Sequence, residues 1–466
     1  MMSVKKRGAA RLAAATLASG LFAAGAIGVA GSAAADEAPA NTGGASATLE
    51  GLVPGSFATA IDHTTGKGVN VSAGLFSMKV ADGGTLQSYC IDFDHHTQDQ
   101  AEYSEVPWKQ SSLAGNPDAG KIRWILQHSY PQVNDLAALA SQAGAGKLTP
   151  ATAAAGTQVA IWRFSDHKNV DAVDKPAEKL ADWLQKNAVN AGEPAASLSL
   201  TPAAVSGKSG GRVGPVTVHT NAGTASVAPG LGAPAGVKVV DGQGNPVTTA
   251  KDGQQLFFDV PAGAEDGSAS LTLQARTKVP VGRAFTSSNP KIVSQTQILA
   301  GSSDSSVSAT ATATWAKQGP IPALSAAKDC AKGGVDVTAA NKGDEAFSFE
   351  LAGKKYEVAP GKSQTITVPV TEDQAYKITV TGDKGFSKTF TGILDCKTTS
   401  EAGGSATPSS HPSAASVGGT GGSQDLAETG SSSATPVIAG IAVVLVVVGG
   451  GAVFFLRKKK TGNVAG

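Results

Sequence analysis

The chain has 466 residues, with 38 Lys and Arg against 37 Asp and Glu, so its net charge is +1 and only 16% of it is charged. That balance excludes the basic footprint of a nucleic-acid binder and the one-sided charge of a protein built around an ionic substrate. Gly, Ala, Ser, Thr and Val dominate, which favours short strands and turns over long helices and leaves room for two or three domains.

In chain order, Lys5, Lys6, Arg7 and Arg11 precede an Ala/Leu/Gly-rich run from Leu12 to Ala30, and Ala33-Ala34-Ala35 offers a small-residue cleavage site. Residues 1–35 therefore read as a secretory signal peptide outside the fold. Residues 36–47 are small and polar and are expected to form a disordered leader. Residues 48–190 begin with strand-like stretches at Ala47 to Leu52, Phe76 to Val80 and Leu86 to Phe93. Helical spacing follows, in Ile122, Ile125 and Leu126 and again in Leu180, Trp183 and Leu184, so an α+β domain is expected. Four of the five tryptophans, Trp108, Trp124, Trp162 and Trp183, fall in it, which places the larger core there. From 196 to 317 the helical pattern gives way to short runs such as Val216 to His219, Leu256 to Val260 and Val307 to Trp315, broken by Gly, Pro, Asn and Asp; the expectation is an immunoglobulin-like sandwich. Pro320 to Ser325 reads as a joint, and 326–397 as a second, smaller all-β sandwich.

Three cysteines in an exported chain leave one unpaired. Cys330 and Cys396 bracket the strands of the small sandwich and are the natural disulfide. Cys90 remains. It lies in Tyr89-Cys90-Ile91-Asp92, where it alternates with the bulky Tyr89, Ile91 and Phe93. Further on, Thr149 as N-cap with Pro150 at the first helical position starts a helix, and Gln158 shares a face with Ala154, Ala155, Ile161 and Trp162. The two alanines leave space for another backbone.

A strand with Tyr89-Cys90-Ile91-Asp92 and a helix with Thr157-Gln158-Val159-Ala160-Ile161-Trp162 resemble the thioester domains of Gram-positive surface adhesins. The resemblance spans about Thr48 to Asn190 and implies that the Cys90 sulfur attacks the Gln158 carboxamide, expels ammonia and leaves an internal thioester. Such a bond implies a partner surface with an accessible amine or hydroxyl. A carboxamide is a poor electrophile, so the sulfur must be held against a polarised carbonyl, and the product survives only where water is kept out. Tyr89, Trp162 and Phe164 are candidates for shielding, Asp92 and Thr157 for polar assistance. Two other readings of Cys90 remain, an inert buried cysteine and a hydrolase nucleophile paired with His128 or His167, although no protease signature surrounds it. His95 and His96 beside Asp92 and Asp94 are read as a solvated loop rather than a metal site, because adjacent side chains on a strand diverge. No metal, cofactor or catalytic residue is expected, and the chain is read as a covalent binder rather than an enzyme.

Residues 398–425 have the Ser/Gly/Ala/Thr-rich composition of a flexible linker. Leu426-Ala427-Glu428-Thr429-Gly430 follows, then an apolar run over 437–456, long enough for a transmembrane helix, and a basic tail over 457–466 that begins Arg457-Lys458-Lys459-Lys460. That order resembles a sortase sorting signal of the Leu-Ala-x-Thr-Gly type associated with class E sortases. It implies cleavage after Thr429, attachment of Thr429 to peptidoglycan, and membrane contact only through the helix of the precursor. The alternative is a permanent C-terminal membrane anchor.

Overall fold

The computed structural model describes residues 36–39 and 43–397, apart from 65 and 231. The expected signal peptide (1–35), linker (398–425), motif (426–430), membrane span (437–456) and basic tail (457–466) lie outside the described residues. No helix among the described residues is long and apolar enough to cross a membrane.

The first body is a ring of strands backed by helices. In chain order it comprises β1 (Ser46–Asp62), β2 (Val69–Val80), β3 (Thr85–Cys90), β4 (Glu102–Val106), α1 (Ala119–Gln127), α2 (Leu136–Ala143), α3 (Pro150–Ser165), β5 (Val170–Ala172) and α4 (Lys175–Asn187). Two strands from far along the chain, β6 (Ala284–Ser287) and β7 (Gln297–Ser302), complete it. The hydrogen-bonded order is β2-β3-β7-β6-β4-β1-β5; β1 also pairs with β2, which closes six strands on themselves with β5 outside. Closure leaves the six without a free edge.

The strands β6 and β7 correct the expected boundaries of 48–190 and 196–317. Gly267–Lys278 pairs with Asp304–Ala316 along its whole length, from Gly267 opposite Trp315 to Lys278 opposite Asp304. The chain between those two strands leaves the sandwich, adds β6 and β7 to the ring beside Cys90, and returns. Pairing at that range has no local sequence signature.

The rest of 196–317 forms two sheets. One orders Lys238–Val240, Gln255–Asp259, Arg212–Thr220 and Leu198–Thr201. The other orders Thr249–Ala250, Ala225–Pro229, Gly267–Lys278, Asp304–Ala316 and Gly43–Gly44. Val307, Ala309, Ala311, Ala313 and Trp315 are buried at every second position, the period of a strand with one face on a core. The larger core is therefore not confined to residues before 190. One buried cluster runs from Leu49, Ile91 and Trp162 of the ring to Val216, Leu271 and Trp315 of the sandwich. At the junction, the buried Glu105 carboxylate on β4 accepts from Arg283 Nε at 2.8 Å, Ser197 N at 3.0 Å and Ala45 N at 3.1 Å. A buried charge is tolerated when its lone pairs are met in this way.

The C-terminal domain has its own core around Val337, Phe349 and Val380. Its sheets order Pro322–Asp329, Gly334–Asn341 and Ser363–Pro369, and Asp36–Pro39, Ser387–Leu394, Gln374–Gly382, Phe347–Leu351 and Lys354–Val358. Two expectations are corrected here. The supposed joint from Pro320 to Ser325 runs into the first strand, since a proline is tolerated at the start of a strand. The leader over 36–47 is ordered in part: Asp36–Pro39 pairs with Ser387–Leu394, and Gly43–Gly44 with Asp304–Ala316. Adding a strand to an edge uses backbone groups, so small polar side chains do not forbid it. Cys330 and Cys396 are joined, with their Cα atoms 5.2 Å apart and a sequence separation of 66. Closing that loop stabilises the domain by about 4 kcal/mol on the chain-entropy account.

Candidate functional site at Cys90 and Gln158

Helix α3 starts where capping chemistry places it. Thr149 Oγ1 accepts from Thr152 N at 3.2 Å, the Thr149 N–H donates to Thr152 Oγ1 at 2.9 Å, and Pro150 opens the first turn. From Ala153 to Trp162 every residue is buried. The close approach of a second backbone falls at Gly156, where a Cβ would stand less than 3.0 Å from the Ala177 carbonyl oxygen of α4. Arg163 holds the same two helices together, pairing with Glu178 at 2.6 Å and Asp182 at 2.9 Å. Gln158 is thus carried on a helix that can neither rotate nor slide freely.

Strand β3 ends at Cys90 instead of continuing to Phe93. There the Gln158 carboxamide docks on the backbone of Cys90. The Cys90 N–H donates to Gln158 Oε1 at 3.1 Å, Gln158 Nε2 donates to the Cys90 carbonyl at 2.9 Å, and the thiol Sγ lies 3.3 Å from Oε1. The carbonyl carbon, one C=O bond further, is at most about 4.5 Å from the sulfur. The Cys90 N–H polarises that carbonyl and stands where an oxyanion would form. Cys90 is 1% exposed and Gln158 0%.

The surroundings keep the sulfur protonated. Burial pushes the Cys90 thiol far above its ordinary range, and the negative field of Asp166 adds to this. The Trp162 indole N–H, which has no other hydrogen-bond partner among the described residues, acts in the opposite direction. Asp166 itself is held well above the usual carboxylate range by burial and by Asp92. Its Oδ1 accepts the Phe93 N–H at 3.2 Å and its Oδ2 the Ser165 hydroxyl at 2.5 Å. Trp162, whose N–H faces the sulfur, meets Phe93 edge-on at 4.8 Å, and both rings are buried.

The sequence candidates divide. Cys90, Gln158 and Trp162 come together. Tyr89 is buried with its hydroxyl on the Tyr130 carbonyl at 2.8 Å, and Thr157 Oγ1 donates to Ala153 O at 2.8 Å within its own helix. Phe164 is buried two turns on, under Lys121 Nζ at 5.0 Å. Asp92 turns from the pair: its Oδ2 accepts the Thr296 N–H at 2.8 Å. Its loop is not the solvated one expected, since Asp92 and His95 are buried while Asp94 and His96 are exposed. Phe93, Asp166 and Gln297 were missed. Gln297 on β7 stands opposite Cys90 in register and accepts the Ser88 hydroxyl at 2.9 Å. Its distance along the chain hid it, whereas Asp166 lay in plain view as the cap of α3.

Residues 87–190 match the family model described as thioester domain, and residues 322–393 that described as bacterial phospholipase C, C-terminal domain. Among solved structures, the Bacillus anthracis TIE protein is similar over 76% of this chain and 81% of its own, at 14% identity and a TM-score of 0.27. The thioester domain of the Enterococcus faecium TIE86 protein covers 59% of this chain and 100% of its own, at 16% identity and a TM-score of 0.25. No curated protein matches the chain. The segment that matches the thioester-domain family is the one that holds Cys90, Gln158 and the rings around them.

Proposed function

We propose that this chain is an exported surface protein in which Cys90 and Gln158 form an internal thioester that captures an amine or hydroxyl on a partner surface. The carrying observation is the docked carboxamide: its oxygen is on the Cys90 N–H, its nitrogen on the Cys90 carbonyl, and its carbon within reach of the sulfur. In the first reaction the Sγ–Cδ bond forms and the Cδ–Nε2 bond breaks. The thiol proton leaves with the nitrogen as ammonia. In the second, a partner amine attacks Cδ, an amide forms, and the sulfur regains a proton as the Cys90 thiol. Each chain reacts once, so it is a covalent binder and not an enzyme. Burial of the pair supports a thioester that outlives exposure to water.

Anchoring rests on the sequence from Leu426 to the basic tail. The proposal is that a sortase cuts after Thr429 and joins it to peptidoglycan, with the membrane holding only the precursor. The linker then stands the folded part away from the wall.

The test is the intact mass of the exported protein. With its disulfide allowed for, it should weigh one ammonia less than its sequence, and Cys90→Ala and Gln158→Ala should each show the full mass. Methylamine should add to the native protein and expose one thiol at Cys90. Full mass with no methylamine adduct would sink the covalent reading and leave a non-covalent surface binder.

A further inference from the structure

We infer that the protein binds one divalent transition-metal ion between the turn after β3 and the end of the C-terminal domain, ligated by Asp92, His95 and Asp395. One ligand atom from each lies within 4.8 Å of the other two, and all three residues are buried. Three ligands at about 2.1 Å from a common ion stand about 3.4–3.6 Å apart, so from separations of up to 4.8 Å each ligand atom closes in by up to about 0.7 Å.

The stronger sign is that the atoms turned into this space lack partners. Asp395 is 0% exposed, and neither of its carboxylate oxygens has a hydrogen bond among the described residues. Asp92 spends Oδ2 on the Thr296 N–H; its Oδ1 is buried without a hydrogen bond of good geometry, with the Ser112 and Thr296 hydroxyls beside the carboxylate. His95 Nε2 has no hydrogen bond either; Asp373 Oδ2 stands 3.7 Å from it. Polar atoms stripped of water and left bare are costly, and a cation meets all of them at once. Charge points the same way. Asp92 and Asp395 share the space with Glu372 and Asp373, which form a second such cluster around Asp395. Against these four carboxylates stands buried Lys328, whose Nζ donates to Thr286 Oγ1 at 2.8 Å. With all four ionised, the Lys328 ammonium leaves them negative, and a divalent ion brings them near balance.

The ligands are held in place by their neighbours. The His95 N–H donates to the Asp92 carbonyl at 3.2 Å, which fixes the turn. Asp395 is followed by Cys396, tied to Cys330, and the N–H groups of Cys396 and Lys397 both donate to Glu372 Oε1. An imidazole with two carboxylates suits Zn²⁺ or Mn²⁺, whereas Ca²⁺ and Mg²⁺ prefer oxygen alone. The ion would clamp the C-terminal domain to the turn two residues beyond Cys90.

The test uses the full chain, stripped with chelator and titrated with Zn²⁺ and with Mn²⁺ by calorimetry, with bound metal counted by mass spectrometry. One ion per chain is expected, bound at least tenfold more tightly than Ca²⁺. Asp395→Asn and His95→Gln should each weaken it at least tenfold, while Asp94→Asn and His96→Ala, exposed in the same turn, should bind as the parent does. Absence of a stoichiometric ion in the parent protein would overturn the inference, with no variant needed. So would Ca²⁺ binding as tightly as either ion, or affinity unchanged in Asp395→Asn.

Discussion

Gly156→Ala separates the packing described here from simple helix propensity. Within a helix, Ala is favoured over Gly by about 1 kcal/mol, so a helix judged alone should gain stability. In α3 the added methyl would stand less than 3.0 Å from the Ala177 carbonyl oxygen and 3.2 Å from Leu180 Cβ. A carbon normally keeps about 3.3–3.6 Å from such an oxygen. The obstacle is backbone, and α4 is fixed by the pairs of Arg163 with Glu178 and Asp182, so the helices must part. Overpacking of this kind costs about 1–3 kcal/mol, and a backbone obstacle places this site in the upper half. The net expectation is a loss of about 1–2 kcal/mol, or a Tm lower by roughly 2–8 °C for a body of this size. Thermal unfolding of the parent and variant, followed by tryptophan fluorescence, measures it. A Tm raised by Gly156→Ala would refute the close α3–α4 contact on which the placement of Gln158 depends.

Four further outcomes follow from the structure, the proposed reaction and the proposed anchoring. A fragment of residues 48–190 should fail to show a cooperative melt, whereas 43–316 should show one, because β7 pairs with β3 and the first buried cluster ends at Trp315; a cooperative melt of the short fragment would refute the shared ring. In Gln158→Ala the Cys90 thiol should resist iodoacetamide at neutral pH until the protein unfolds. Because burial raises that thiol above its ordinary 9.0, only the unfolded form ionises past that pH. The stability of this variant should therefore fall as pH rises beyond about 9, by up to about 1.4 kcal/mol per pH unit, relative to Cys90→Ala with Gln158→Ala. Finally, Thr429→Ala should keep the protein out of the peptidoglycan fraction; release only by wall-degrading enzymes would defeat the sorting proposal.

Local chemistry was legible in the sequence and distant pairing was not. Thr149 and Pro150 announce α3 because capping and a fixed φ act within four residues. Cys90 and Gln158 stood out because each sits in a short motif. Nothing near Cys90 indicates that Gln297 stands opposite it, since the strand that carries it reads like its sandwich neighbours. The turn after Cys90 misled for a related reason. Asp92, Asp94, His95 and His96 look uniformly polar, yet alternate members are buried because the C-terminal domain, with Asp395, closes over one side. Asp36–Pro39 carries no apolar pattern at all, and its order comes from the backbone of Ser387–Leu394.

The proposed reaction asks opposite things of one sulfur, and burial answers both. A thiol held far above its ordinary range is a poor leaving group, so a thioester at Cys90 resists casual nucleophiles as well as water. Formation does not need a free thiolate in bulk solvent, because the Cys90 N–H already polarises the carbonyl and the carboxamide is fixed against the strand. Ammonia departs once and is diluted away. In the proposed capture, the released sulfur would take up a proton and stay neutral in the same buried place, while the new amide would be a poorer electrophile than the thioester it replaced. Return attack then requires a thiolate that burial suppresses, on a carbonyl that resonance protects. The environment that would preserve such a bond before contact would therefore make a captured product lasting, and replacing Trp162 or Phe93 by small residues should shorten the life of the proposed thioester without weakening a linkage already made.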